Sequence, residues 1–84
     1  MNETEALEQF ITLLRKQTQR KTKLYDGINS TATVDYCLRL AIEELGEIAS
    51  AVTRERFNLA QCETIDLAHA TMLVWLAIQR VVER

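Results

Sequence analysis

The chain has 84 residues, a formal net charge of −2, 48% hydrophobic and 26% charged residues. These are ordinary values for one globular domain, expected to span 1–84, and they give no global basic field for a nucleic-acid polymer. It contains no proline and two glycines, a composition that predicts an all-α protein. No stretch reaches about 18 uninterrupted apolar residues, and the acidic N-terminus MNETEALEQF does not read as a signal peptide. The expected setting is therefore cytoplasmic, with no membrane partner.

The first helix is expected over 3–20, where Leu7, Phe10, Ile11 and Leu14 recur at spacings of three and four. Asn2 is a candidate N-cap, with acids in the first turn. A loop is expected over 21–32, because Asp26-Gly27, Asn29 and Ser30 are turn formers. Around this boundary Arg15, Lys16, Arg20, Lys21 and Lys23 cluster. Such cations complement a helix C-terminus or contact phosphate.

The second helix is expected over 33–54, with a seam of Val34, Leu38, Ala41, Leu45, Ile48 and Val52. The third is expected over 58–82, with Ile65, Ala68, Met72, Trp75 or Leu76, and Val82 on its seam, and with Asn58 as a cap. Between them there is room only for a short turn, which makes the two helices antiparallel neighbours. Cys37 and Cys62 fall inside helical patterns and are expected as buried, reduced thiols.

Five carboxylates mark the ends of the segment from Glu43 to Asp66: Glu43, Glu44, Glu47, Glu63 and Asp66, with Glu55 between them. Glu44 and Glu47 are three apart, as are Glu63 and Asp66, so each pair shares a helix face. Residue 55 is the midpoint both of 47 and 63 and of 44 and 66. A hairpin turning there sets Glu47 level with Glu63 and Glu44 level with Asp66. Two like charges at 4 Å repel by about 4 kcal/mol at an effective dielectric of 20. Either the acids point to solvent or a cation holds them, and oxygen-only ligands suit Mg²⁺ or Mn²⁺.

Glu43-Glu44-Leu45-Gly46-Glu47 followed by Glu63-Thr64-Ile65-Asp66 resembles the paired EExxE and ExxD motifs of the MazG-like all-α nucleoside triphosphate pyrophosphohydrolases. The resemblance covers roughly residues 34–78. It implies hydrolysis of a nucleoside triphosphate to a monophosphate and pyrophosphate, by metal-activated water at the α-phosphate. It also implies that Glu44, Glu47, Glu63 and Asp66 hold Mg²⁺, with Mn²⁺ as a substitute. Glu47, or less directly Glu43, would take the water's proton. Candidate substrate contacts are Lys16, Arg20, Lys23, Tyr25 and Arg54, and His69 is a candidate to orient a carboxylate.

Other readings stay open. Cys62, Asp66 and His69 share a face, but Cys62 and His69 are two turns apart, too far for compact zinc ligation. A di-iron bundle wants Glu-x-x-His on two helices, and Asp66-x-x-His69 is the only related match. The non-enzymatic alternative is a helical oligomerisation or interaction module, or a degenerate relative. Leu73, Trp75, Leu76 and Val81 offer more apolar surface than three helices bury, which predicts a homodimer or tetramer with a four-helix core.

Overall fold

The computed structural model describes residues 1–24 and 32–84 and is all-α among them. Helix α1 spans Glu3–Leu24, α2 spans Val34–Thr53 and α3 spans Phe57–Val82. α1 runs one turn beyond its expected end, so residues 21–24 are helix and not loop. Nothing in Lys21–Leu24 breaks a helix, and Lys21 and Lys23 complement the dipole of its last turn. Tyr25, Asp26, Gly27, Asn29 and Ser30 lie outside the described residues.

The caps follow local chemistry. Asn2 Oδ1 accepts from the Glu5 N–H at 2.9 Å, and the Thr33 hydroxyl accepts from the Tyr36 N–H at 3.1 Å. α3 begins differently: Arg56 is its N-cap without a side-chain bond, and Asn58 lies one residue inside the helix. The preceding turn leaves Asn58 no capping position, because it delivers the chain into helix at Phe57.

That turn is a Schellman closure. The Glu55 N–H donates to Val52 O at 3.0 Å, and the Arg56 N–H donates to Ala51 O at 2.8 Å. It requires left-handed backbone at Glu55, whose φ is 58°. A side chain there costs of order 1 kcal/mol relative to glycine's freedom.

α2 and α3 form an antiparallel hairpin, and α1 lies against α3. The core is thin. Its buried apolar residues are Cys37, Ala51, Ala60, Ile65, Ala70, Leu73 and Ala77, four of them alanines, so the helices touch through short side chains. Cys37 packs with Leu73 and Ala77, edged by Val34, Met72 and Val74. Cys37 and Leu73 each lie 18 residues from Glu55, so the hairpin keeps the register that the acid spacing implies.

Several seam residues face outward. Leu38, Leu45 and Val52 on α2 are about half exposed, and Trp75 and Val82 on α3 are 64% and 74% exposed. The face of α2 against α3 is instead the line of Cys37, Glu44, Ile48 and Ala51, rotated away from the most apolar stripe. On α3 the buried line is Ile65, His69, Leu73 and Ala77. α1 buries no residue fully. Its half-buried line is Leu14, Gln17, Thr18 and Lys21, while Leu7 and Ile11 stay exposed. α1 crosses α3 by its C-terminal half, where polar side chains find an acidic partner. Cys37 is buried as expected, whereas Cys62 is exposed; both are free thiols.

By length and averaged composition, Phe57–Val82 is also apolar enough to cross a membrane. Counting uninterrupted apolar residues misses this, because isolated polar residues break the run. Only 22% of the most apolar 18-residue stretch of this helix is buried in the protomer.

Replacing Glu55 with glycine relieves the left-handed strain at the turn. The expected result is a gain of about 0.5–1 kcal/mol in urea unfolding with an unchanged slope. Glu55→Val should lower stability instead.

Candidate active site

The hairpin brings carboxylates from both helices to one place. Glu44 on α2 feels the charges of Glu47, one turn along, and of Asp66 across on α3. Burial, then these two neighbours, raise the Glu44 pKa, Lys21 opposes the shift, and a side-chain hydrogen bond with Glu47 adds to it, so a proton shared with Glu47 meets part of the Glu44 carboxyl's need. The Oε2 atoms of Glu44 and Glu63 are buried without a hydrogen-bond partner. Unpaired buried carboxylate oxygens are costly, and a cation or hydrogen-bond donor held by them would lower the cost.

α1 supplies the site's compensation. Lys21 Nζ lies 3.7 Å from Asp66 Oδ1, with both side chains largely shielded from solvent. The Gln17 amide donates to the same oxygen. Gln17 and Lys21 are one turn apart, so both reach Asp66 from one side of α1. The Gln17 carbonyl in turn accepts from Arg20 Nε at 3.1 Å. His69, one turn after Asp66, is 3% exposed. Burial, then Lys21, push its pKa down, and Asp66 pushes it up. Its burial beside Asp66 therefore disfavours the charged imidazolium.

Along α1 and α3 runs a groove of about 710 Å³. Lys16, Arg20 and Gln17 line it from α1, with Phe10 and Leu13 as its apolar wall. Thr64, Ile65 and Asp66 line it from α3, so of the clustered acids Asp66 borders the groove. Cations, amides and an aromatic ring beside one carboxylate suit an anionic ligand carrying a flat apolar part.

The remaining expected residues are placed less centrally. Glu47 is exposed beside Glu44. Glu43 is exposed, and among the described residues no ion pair or hydrogen bond joins it to the acids. Lys23 is exposed, and Tyr25 lies outside the described residues. Arg54 is the C-cap of α2, about 10 Å along the helix axis from Glu47, at the hairpin end. Among the described residues, no three histidine, cysteine, aspartate or glutamate side chains are disposed to hold one metal ion. Gln17 carries no charge and belongs to no motif. Its only sequence signal is its place on the line joining Leu14, Thr18 and Lys21. Comparisons with protein-family models, curated proteins and solved structures find no match to this chain.

The raised Glu44 pKa has a sign that can be tested. A carboxylate with a raised folded-state pKa contributes its stability below the unfolded value, about 4.3, and loses it as pH rises through the folded value. His69 acts oppositely: its stability is present above about 6.5 and is lost as pH falls toward its lowered value. In metal-free buffer, the stability of Glu44→Gln minus that of wild type should therefore grow as pH rises from about 4.3 and then level off. Urea titrations across pH read this difference; a flat line would remove the strain assigned to Glu44.

Proposed function

We propose that the chain is a magnesium-dependent nucleoside triphosphate pyrophosphohydrolase of the MazG-like kind. The observation that supports the reading is that Asp66, whose charge is felt by Glu44 together with that of Glu47, also borders a groove lined by Lys16 and Arg20. Two orphaned carboxylate oxygens, on Glu44 and Glu63, add to it. Lys16 and Arg20 would bind phosphate oxygens, and Phe10 offers a face for the base.

The donor set fits the cation. Glu44, Glu47, Glu63 and Asp66 offer only hard oxygen donors, and Mg²⁺ takes one or two carboxylates while keeping several waters. It therefore does not need three convergent side chains. When bound, magnesium would supply charge neutralisation on the triphosphate and polarisation at the α-phosphorus. Glu47, exposed beside the cluster, takes the proton of the attacking water. The water oxygen bonds to the α-phosphorus as the bond to the bridging oxygen breaks, and pyrophosphate leaves. Lys21 and Gln17 orient Asp66, and His69 walls the site from the core side. The proposed setting is the cytoplasm, in keeping with the two free thiols.

A second reading is a non-catalytic helical interaction module. It is favoured by the extent of exposed apolar side chains.

Pyrophosphate release from a panel of ribo- and deoxyribonucleoside triphosphates, with Mg²⁺, Mn²⁺ or EDTA, separates the two. The enzyme reading expects metal-dependent turnover that falls at least about 100-fold in Glu47→Gln and Asp66→Asn while helicity is kept. Absence of turnover on every nucleotide would leave the module. For an active enzyme, Lys16→Ala and Arg20→Ala should each raise KM about tenfold or more through loss of a charged phosphate contact.

A further inference from the structure

Among the described residues, Lys21 is the cation of α1 that pairs with the clustered acids: its Nζ lies 3.7 Å from Asp66 Oδ1. Lys16 and Arg20 border the groove instead, which Lys21 does not line. The Lys21 charge also reaches Glu44 on α2 and His69, one turn after Asp66. One ammonium thus answers acids from both helices of the hairpin. It answers them incompletely, because the Oε2 atoms of Glu44 and Glu63 stay buried without a hydrogen-bond partner.

The ammonium is also held loosely. Its contact is longer than the roughly 2.7–2.9 Å of a charge-assisted hydrogen bond. The Gln17 amide donates to the same Asp66 oxygen, so two donors share one atom. Lys21 lies in the last turn of α1, and its side chain is 22% exposed. A flexible four-carbon stem can carry the head from there into water. An arginine would grip the carboxylate through two parallel bonds, whereas a lysine is a hydrated point charge.

We propose that Lys21 is the resident cation of the acid site, and that a divalent metal ion reaches Asp66 by displacing its ammonium. The exchange rests on the cation site proposed above. Mg²⁺ or Mn²⁺ carries twice the charge of the ammonium and can bond carboxylate oxygens directly. Before the metal arrives, Lys21 offsets the charge of Asp66 and shares with Gln17 in orienting it. Afterwards the Gln17 amide keeps the orientation alone, since a neutral donor does not repel the metal. The Lys21 head then turns to water at the end of α1. The device keeps Asp66 paired when no metal is bound, and it weakens metal binding by the strength of that pairing.

Mn²⁺ alone is the probe. Free Mn²⁺ read by electron paramagnetic resonance should show Lys21→Met binding at least about fivefold more tightly than wild type, because no ion pair has to be broken. Removing a positive charge favours a cation even where the side chain never moves, so wild-type protein supplies the second measurement. At low labelling, acetylation of Lys21 relative to Lys16 and Lys23, read by mass spectrometry, should rise severalfold when Mn²⁺ is added. That measurement needs no variant to fold. Equal or weaker Mn²⁺ affinity in Lys21→Met, or Lys21 labelling unchanged at saturating Mn²⁺, would overturn the displacement and leave the enzyme reading standing. Failure of both proteins to bind millimolar Mn²⁺ would overturn it too, and the pyrophosphate assay then shows whether the enzyme reading falls with it.

Discussion

The close of α2 onto α3 at Arg54–Arg56 is the constraint on which the rest of the molecule depends. Two backbone bonds and one left-handed residue set which positions stand level across the hairpin. Cys37 then meets Leu73, and Glu44 comes within the field of Asp66. The apolar pair and the acidic pair are products of one register. Neither can be moved without moving the other, because both helices are rigid rods with a fixed rise per residue.

Concentrating acids in so small a protein would be ruinous if each kept its full charge in a dry interior. The structure holds them in three ways. Lys21 and the Gln17 amide both serve Asp66. Glu44 holds its proton to higher pH than an ordinary carboxylate. Glu47 stays at the solvent side. Because two of these three devices involve the site's own acids, the compensation is partial, and buried oxygens on Glu44 and Glu63 are left without partners. The alanine-rich contact between α2 and α3 permits this arrangement, since short side chains bring the helices, and their acids, close together.

The helices and the hairpin register were legible in the sequence because they follow from local rules. Periodicity marked three helices, Asn2 marked one start, and the matched 44/66 and 47/63 spacing marked the turn. Which side of each helix would be buried was legible in part: on α3 the expected Ile65, Ala68, Met72 and Leu76 are buried or half-buried, whereas on α2 Val34, Ala41 and Ile48 are half-buried but Leu38, Leu45 and Val52 are exposed. The most apolar line of α2 reads as a core seam, yet the protomer buries the neighbouring line through Cys37, Glu44 and Ala51. Periodicity gives a helix a face but does not say what covers it. Gln17 was missed for a related reason. A neutral amide on α1 acquires its role only when the fold brings it to Asp66, 49 positions later in the chain. Arg54 shows the converse. Its spacing from Glu47 places it on nearly the same face, but the helix axis carries it to the hairpin end.

The left-handed residue at Glu55 also says something about how such a chain tolerates change. Substitution at the turn alters a local backbone energy and leaves the pairing intact. A single inserted or deleted residue between Val52 and Phe57 is a different kind of event. It would turn α3 by about 100° about its own axis and slide it by about 1.5 Å, carrying Asp66 away from Glu44 and Leu73 away from Cys37 in one step. The hairpin is therefore permissive in letter and strict in length, so drift in this lineage should accumulate as replacements at 54–56 and not as gaps.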